Sequence, residues 1–474
     1  MTRFNTKSVV PKTVNKAGGE AFSQKENLEL VSILLTSFLK NDFYRSSNET
    51  AVRIKELILK ETNKKFIAKA AIYARTKFGM RSVSHLVAGE IANSVKGESW
   101  TKTFFNKIVY RPDDMTEILS YLGHEYGKPF PNSLKKGFAM ALGRFDEYSL
   151  AKYRMEGKDV SMVDVVNLVH PKSTPAIASL IKGELKSTDT WESRLSKAGQ
   201  DAEDEDDLDI LKGKAWLDLL SEGKLKYFAL LRNLRNIIQQ SPESVGLACK
   251  ALVDEQAIKK SLVLPFRFLT AIKQIQEINE EGTRDVLIAL NKATDIALSN
   301  VPKLDGKTLV VLDTSGSMGG RPIEIGSLFS SILIKSNNAD YIHFAENAEY
   351  LTLNPTDSTL SIAQNILNKF GGGGTNFNSI FETANRAYDR IVILSDMQGW
   401  IGHHTPTEAF RAYKARTNAD PKIYSFDLAG LGTLQFPEKN VYCMAGFSEK
   451  VFDIMKMLET DKDALVSEIE KIEL

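Results

Sequence analysis

A loop rich in oxygen-bearing side chains follows an apolar run near residue 310. Segment 313–318 reads DTSGSM, so one carboxylate and two hydroxyls alternate around a glycine. Thr375 comes after four glycines, and Asp396 directly follows the predicted strand 391–395. Carboxylate and hydroxyl oxygens are hard ligands, which suit Mg²⁺ or Mn²⁺ better than zinc. We therefore predict a divalent-cation site formed by Asp313, Ser315, Ser317, Thr375 and Asp396.

Alternating strands and helices must hold these residues in place. Short β-branched runs occupy 307–313, 340–345, 390–396 and 422–428. Helical patterns lie between them at 321–336, 359–370, 376–388 and 406–416. This alternation predicts a doubly wound parallel sheet covered on both faces. Since ligands bind beyond the carboxyl ends of such strands, Asp313 and Asp396 are expected at one edge.

The spacing of these residues resembles the metal-ion-dependent adhesion site of von Willebrand factor A domains. That site combines the pattern DxSxS with a downstream threonine and a strand-end aspartate. The alternative is that Asp313 and the serines only cap the following helix. Capping does not require Thr375 or Asp396, so the metal site is the preferred interpretation.

Other candidate motifs carry less weight. Gly306, Lys307 and Thr308 resemble the end of a phosphate-binding loop, but they precede their strand, and Val301 stands where the first glycine is needed. His403 and His404 are adjacent and are expected to be surface histidines. We find no nucleophile–base arrangement, and one mixed site lacks the paired metals common in nucleases. We therefore predict that the protein is not an enzyme.

Residues 24–298 show an almost continuous helical pattern. Apolar residues repeat every three or four positions in segments 28–40, 63–78, 82–95, 133–145, 226–238, 265–278 and 283–298. Such narrow apolar stripes fit stacked helix pairs of the solenoid type, although an ordinary all-α globule gives the same periodicity. The change of period near 298–306 predicts two domains, residues 1–300 and 303–474.

Length and composition set further bounds. A chain of 474 residues with 43% hydrophobic and 26% charged residues is expected to form two or three globular domains. Cys249 and Cys443 suggest neither a disulfide framework nor zinc and are expected to be buried. We see no signal peptide and no membrane-spanning run, so we expect a soluble, cytoplasmic protein.

Charge is distributed unevenly along the chain. The whole chain has a net charge of +1, yet residues 1–200 carry +11, residues 201–300 carry −4 and the remainder carries −6. Cations with an interleaved aromatic suit contact with RNA phosphates and unpaired bases. A solvated helix face is the alternative. The candidate RNA-binding residues are Lys135, Lys136, Arg144, Lys152, Tyr153, Arg154, Lys158, His170 and Lys172.

Motifs spread along the chain resemble the TROVE-module family, to which the Ro autoantigen belongs. They are LAKYR (150–154), VVNLVHPKST (165–174), ALLRNLRNI (229–237), LPFRFLTAI (264–272), VVLDTSGSM (310–318), FGGGGTNF (370–377), ILSDMQGW (393–400) and AGFSEKVFDIMKML (445–458). The resemblance covers nearly the whole length. Thr314 stands where the family more often has an apolar residue, and we expect its side chain to point away from the metal.

The resemblance implies a fold and a function. It implies a ring of HEAT-like helix pairs, closed by a von Willebrand factor A domain. Small Y-like noncoding RNA would bind the outer surface, and 3′ ends of misfolded RNA would enter the central hole. Lys152 and His170 match RNA-contacting positions of the family, while Arg154 and Lys158 compete for a third.

The family resemblance also implies an oligomeric state, a cellular role and a protein partner. The resemblance implies a monomeric protein of RNA quality control or an RNP scaffold, with an exoribonuclease such as polynucleotide phosphorylase as partner. The alternative is a metal-dependent protein-adhesion scaffold that binds no RNA, which the metal motif and neutral total charge favour.

Overall fold

The structure is a computed structural model. It describes residues 12–15, 20–23, 30–31, 33–35, 47–61, 63–127, 129–155, 157–185, 189–399, 401, 405–428, 433–435, 441–445, 451–452, 455–456 and 464–474.

Helices make up the described chain from residue 47 to residue 300. The first nine are α1 (Ser47–Lys60), α2 (Lys64–Lys77), α3 (Ser82–Ser94), α4 (Thr101–Ile108), α5 (Asp113–Tyr126), α6 (Asn132–Leu142), α7 (Glu147–Lys152), α8 (Met162–Val169) and α9 (Pro175–Lys182). Then follow α10 (Trp191–Asp201), α11 (Glu205–Ser221), α12 (Tyr227–Gln240), α13 (Val245–Leu252), α14 (Glu255–Ser261), α15 (Phe266–Gln276) and α16 (Thr283–Ile296). Short 3₁₀ turns occur at Pro242–Ser244 and Ala297–Asn300.

Neighbouring helices pack in pairs, as the narrow apolar stripes predict. Helices α4 and α6 approach closely at Gly137, where an added Cβ would lie 2.5 Å from the Cβ of Phe105 and 2.7 Å from the carbonyl oxygen of Lys102. Only a residue without a side chain permits this separation of the two backbones. The paired arrangement agrees with the solenoid interpretation of the sequence.

The remaining elements form an α/β unit. Its strands are β3 (Thr308–Asp313), β4 (Asp340–Phe344), β5 (Ala348–Tyr350), β6 (Arg390–Ser395), β7 (Lys422–Asp427) and β9 (Val441–Ala445), in the order β5-β4-β3-β6-β7-β9. The strands pair in parallel except β5, which is antiparallel to β4. The helices are α17 (Arg321–Asn337), α18 (Thr359–Leu367), α19 (Phe377–Thr383) and α20 (Pro406–Thr417), with a 3₁₀ turn at Gly316–Met318.

Alternate residues of β3 belong to different hydrophobic cores. Val310 and Leu312 pack into a core that includes α17, α18 and the helices up to α9. Leu309 and Val311 pack into a second core with α19 and α20. Both faces of the sheet are therefore covered, which confirms the predicted doubly wound fold. Helices α10–α16 have a separate core of their own.

The chain closes into a ring because the α/β unit contacts both ends of the helical region. On one side, Asp295 of α16 accepts hydrogen bonds from Lys335 of α17 and from Thr359 of α18. On the other side, the last helix, α21 (Ala464–Glu470), packs against α2, and the carbonyl oxygens of Glu470 and Glu473 accept hydrogen bonds from two lysines, Lys69 and Lys107.

A small antiparallel sheet adds to this closure. It contains β1 (Lys12–Val14), β2 (Glu20–Ser23) and β8 (Thr433–Leu434), so the first described strands pair with one near the end of the chain. Asn15 also donates a 2.6 Å hydrogen bond to the carbonyl of Gly399. The sequence patterns predicted none of these strands, because each is only two to four residues long.

The two cysteines and the paired histidines singled out in the sequence differ in how the structure describes them. Cys249 is half-buried and not buried, because it sits at the edge of the core of α10–α16. His403, His404 and the side chain of Cys443 lie outside the described residues. Among the described helices, none has both the length and the apolar character needed to cross a bilayer.

Candidate metal and nucleic-acid sites

Strand β3 delivers Asp313 to the carboxyl edge of the sheet, where the chain turns sharply. The backbone N–H of Ser315 donates a 2.9 Å hydrogen bond to Oδ1 of Asp313, and Oγ of Ser315 lies 3.5 Å from Oγ of Ser317. Thr314 donates through both its backbone N–H and its hydroxyl to the carbonyl of Phe344 at the end of β4. The Thr314 side chain is thus directed towards β4, while Asp313 and the serines share the loop.

Strand β6 places the second carboxylate at the same edge. Ser395 donates a 2.6 Å hydrogen bond to Oδ2 of Asp313, and Asp396 follows directly. The Ser317 hydroxyl hydrogen-bonds to the carboxylate of Asp396. These contacts link the ends of β3 and β6 around the predicted residues Asp313, Ser317 and Asp396, and Ser395 is an additional donor that the sequence analysis did not select. Oδ2 of Asp396 is buried and has no hydrogen-bond partner within the described structure.

The glycine run brings Thr375 beside this loop. The N–H of Gly316 donates to the carbonyl of Gly373 at 3.1 Å, and the N–H of Gly372 donates to the carbonyl of Thr314 at 3.2 Å. Gly372 and Gly373 have φ values of +76° and +92°, which side-chain-bearing residues rarely adopt. The two glycines therefore let the chain run close to the metal-motif loop, and Thr375, itself buried, lies two residues further on.

Burial governs the electrostatics of the two carboxylates. Burial, followed by the charge of Asp396, raises the pKa of Asp313 well above its usual value. Burial also raises the pKa of Asp396, although the hydrogen bond from Ser317 opposes it. Two adjacent carboxylates without a counter-ion are costly in a protein interior. A cation between them would remove that cost.

The donor set fits a hard divalent cation. It offers two carboxylates and three hydroxyls, and the unpartnered Oδ2 of Asp396 is an acceptor that a metal ion would satisfy. Within the described ranges no three Asp, Glu, His or Cys side chains form a metal-binding group. A site of this composition would thus differ from zinc or multi-carboxylate centres.

The predicted RNA-binding residues spread over α6–α9 and their loops. Lys135 is half-buried and Lys136 is exposed, both on α6. Arg144, which follows α6, donates to the side chain and the carbonyl of Asn106 and to the carbonyl of Val109, at 2.7–2.9 Å. Much of the Arg144 guanidinium is therefore used in fixing the end of α4.

Lys152 and Tyr153 lie together at the end of α7. The Lys152 ammonium lies 6.0 Å from the centroid of the Tyr153 ring and 3.5 Å from a carboxylate oxygen of Glu192. Arg154 donates a 2.8 Å hydrogen bond to the carbonyl of Leu185. Lys152 is exposed, whereas Tyr153 and Arg154 are half-buried.

The other predicted cations are on nearby loops. Lys158, His170 and Lys172 are all exposed. His170 ends α8 in the left-handed conformation, with φ of +48°, which turns the chain into the loop before α9. Helix α9 packs against both α7 and α8, so these loops belong to one side-by-side group of helices.

The sequence analysis missed an arginine that contacts Tyr153. The guanidinium carbon of Arg111 lies 4.3 Å from the centroid of the Tyr153 ring, a cation–π geometry. Arg111 and Arg81 both donate to the buried carboxylate of Asp113. A single arginine in a loop gives no periodic signal, although the sequence Arg111-Pro-Asp-Asp does mark a helix start.

Beneath this surface, Asp114 ties several elements together. It accepts hydrogen bonds from Arg75 and His85 and from the backbone N–H groups of Tyr110 and Arg111. Burial disfavours its ionised form, but the hydrogen bond from His85 and the charge of Arg75 outweigh burial and lower the pKa of Asp114 to about 2. The carboxylate therefore stays ionised and holds the loop that carries Arg111.

Comparison with known proteins gives one family. The sequence model described as TROVE domain matches residues 23–184 and 182–315, more than half of the chain. Telomerase protein component 1 of Rattus norvegicus is 22% identical over 351 residues, covering 54% of this chain and 13% of that protein. The RNA-binding protein RO60 of Deinococcus radiodurans is 27% identical over 232 residues, covering 44% of this chain and 43% of that protein.

A solved structure has the same fold. The crystal structure of the Deinococcus radiodurans RO (RSR) protein superimposes with a TM-score of 0.61 at 17% identity, covering 90% of this chain and 99% of that one. At this identity the match establishes the fold alone. The aligned part spans less than half the length of the curated relatives named above.

Proposed function

The chain belongs to the TROVE domain family, and from this premise we propose that it binds RNA on the basic side of its helical ring. The observation that carries the proposal is a group of cations around the half-buried Tyr153: the exposed Lys152 and the half-buried Arg111 each lie near its ring. The cations of this group neutralise RNA phosphates, and the ring of Tyr153 stacks on an unpaired base.

The bound molecule we propose is small, structured noncoding RNA of the Y type. Recognition rests on electrostatic attraction and shape, with little base specificity outside single-stranded segments. The family resemblance further supports uptake of the 3′ ends of misfolded RNA by the ring, and a role in RNA quality control beside an exoribonuclease such as polynucleotide phosphorylase. The protein would act as a cytoplasmic monomer without catalysis of its own.

The α/β unit supports a second, compatible role. We propose that Asp313, Ser315, Ser317, Thr375 and Asp396 hold Mg²⁺ or Mn²⁺, which compensates the two buried carboxylates. The unpartnered Oδ2 of Asp396 favours this. Such a site leaves a coordination position for water or for the carboxylate of a protein partner, as in adhesion scaffolds.

A salt titration tests RNA binding. If six to eight phosphates are neutralised, the logarithm of affinity falls with the logarithm of salt concentration at a slope of about −4 to −7. The double variant Lys152→Ala with Lys172→Ala should weaken binding and flatten this slope by about 2.

The matched control is Lys259→Ala with Lys260→Ala, which removes two exposed lysines from α14. If both double variants change affinity and slope equally, the cations of α7–α9 are not the binding surface. If the wild-type protein binds neither structured nor single-stranded RNA, the proposed function is wrong and the adhesion scaffold is preferred.

A further inference from the structure

We propose that the loop at residues 110–111 forms a binding site for one unpaired nucleotide of single-stranded RNA. Tyr110 stacks on the base, while Arg81 and Arg111 bind the adjacent phosphate. The inference rests on the proposed RNA-binding function and assigns this contact to three residues that the sequence analysis did not select.

Tyr110 has the exposure and the support of a stacking platform. Its side chain is 59% exposed, although it is a large aromatic residue. The guanidinium carbon of Arg75 lies 5.2 Å from the ring centroid, and Arg75 itself is only 3% exposed. The buried arginine supports the ring from the protein side, so the accessible surface of the ring lies on the side away from it. A base can stack there without displacing a protein group.

The backbone that carries Tyr110 is held from several directions. The N–H groups of Tyr110 and Arg111 each donate a 2.8 Å hydrogen bond to Oδ2 of Asp114. The carbonyl of Val109 accepts a 2.8 Å hydrogen bond from Arg144. An aromatic ring on a fixed backbone loses little conformational entropy when a ligand binds, which favours affinity.

Two arginines beside this loop share one carboxylate. Nε and Nη2 of Arg111 donate to Asp113 at 2.9 and 2.6 Å, and Nη2 of Arg81 donates to the same carboxylate at 2.6 Å. Two guanidinium charges against one carboxylate leave one positive charge in excess. The side chains of Arg81 and Arg111 are 38% and 33% exposed, so this charge is accessible to an anion.

Donor groups also remain for a phosphate. The bonds to Asp113 do not use Nη1 of either arginine. Guanidinium groups with fixed orientation bind phosphate oxygens with charge-assisted hydrogen bonds, often two at a time. A phosphodiester is therefore the anion that suits this pair.

The site continues into the surface already described. Arg111 lies over Tyr153, which adjoins Lys152, so a bound strand can pass from Tyr110 to the cations of α7. Stacking on Tyr110 requires a base that is free of its duplex neighbours. The site therefore selects single-stranded segments, such as loops and ends, from a structured RNA.

Fluorescence anisotropy with two probes tests this site in the full-length protein. One probe is a short unstructured RNA, and the other is the same strand annealed to its complement. Tyr110→Ala should lower affinity for the single strand about tenfold, in line with the loss of one base–aromatic stack, and leave its salt slope unchanged. Duplex affinity should stay the same, and Tyr110→Phe should restore single-strand affinity because it keeps the aromatic face.

Arg81→Gln tests the phosphate contact separately. It should lower affinity for the single strand and reduce the salt slope by about 1. The matched control for exposed aromatic surface is Phe228→Ala on α12, a residue that is 40% exposed and should have no effect.

The outcomes separate this inference from the proposed function. If wild type binds the single strand but Tyr110→Ala binds it equally well, the nucleotide site is wrong and RNA binding stands. If Tyr110→Ala weakens single-strand and duplex binding alike, the ring does not select unpaired bases and the inference is overturned. If wild type binds neither probe nor any structured RNA, the inference and the proposed function fail together.

Discussion

Ser395 donates a 2.6 Å hydrogen bond to Oδ2 of Asp313, across the parallel pair formed by β3 and β6. Ser395, which directly precedes the candidate ligand Asp396, therefore orients the other candidate carboxylate ligand, Asp313. Ser315 holds the other oxygen of Asp313 through its backbone N–H. Both carboxylate oxygens are positioned by the protein, so the direction of the Asp313 side chain is fixed before any cation arrives.

Ser395→Ala should weaken divalent-cation binding about tenfold, because residues that orient metal ligands typically contribute this much. Isothermal titration calorimetry with Mn²⁺ measures the effect. Ser336→Ala is the control, since among the described residues Ser336 bonds within α17, to the carbonyl of Ile332 and to Asn337. Equal Mn²⁺ affinities for both variants and wild type would show that the bond to Asp313 has no orienting role.

Asp313→Ala should abolish stabilisation by Mg²⁺ and leave RNA affinity unchanged. A ligand at one hundred times its Kd stabilises the folded state by about 2.7 kcal/mol, which raises the melting temperature measurably. The variant should melt at the same temperature with and without Mg²⁺. RNA affinity is expected to persist because the basic residues lie on α6–α9. A large loss of RNA binding in the folded variant would contradict this separation.

The pKa of Asp114 predicts an acid-sensitive contribution to stability. Its folded pKa of about 2 is below its usual value of 3.8, so the stabilisation is complete above about pH 4 and is lost as the pH falls towards 2. The shift corresponds to about 2 kcal/mol in the free energy of unfolding. Urea unfolding of wild type and Asp114→Asn over this range measures it.

Asp114→Asn should also be destabilised at neutral pH by about 3–5 kcal/mol, since Arg75 would be left buried with no counter-charge. Asp201→Asn, at an exposed position, serves as control and should match wild type at every pH. If the unfolding free energies of wild type and Asp114→Asn fall in parallel below pH 4, the carboxylate does not titrate as described.

Two glycines on neighbouring helices should respond oppositely to alanine. Gly137→Ala forces a Cβ into Phe105 and the backbone of α4, and we expect a loss of about 1–3 kcal/mol. Gly123→Ala on α5 meets no atom within 4 Å, so the higher helix propensity of alanine should stabilise the fold by up to about 1 kcal/mol. Chemical denaturation measures the free energy of unfolding of both variants and of wild type. If Gly137→Ala leaves this free energy unchanged, α4 and α6 can move apart to accept the added methyl group.

The sequence carried most of the information for the α/β unit. The apolar run 309–312, rich in β-branched residues and only four residues long, favours a strand buried on both faces, and the polar residues after such strands then fall at one edge. The edge strand β5 and the terminal strand β9 were not predicted. Strand β5 has only three residues and no apolar alternation, and its pairing with β4 depends on tertiary contact.

The basic surface was harder to predict because charge alone does not reveal what a side chain contacts. Arg144 has the same charge as Lys152, yet its guanidinium caps α4. Arg111 lies in a loop, outside any repeating sequence pattern. It is part of the basic surface because it lies over the ring of Tyr153, which is about 40 residues away in sequence. Such pairings are set by how the helices stack, and local patterns do not contain that information.

Ring closure has a consequence for biosynthesis. The contact between Lys69 and Glu470 joins residues that are 401 positions apart. At elongation rates of about 5–20 residues per second, the ribosome needs about 20–80 s to produce the second partner after the first. During that interval the surface of α2 that receives the last helix faces the solvent, so the nascent chain offers a transient binding surface for chaperones.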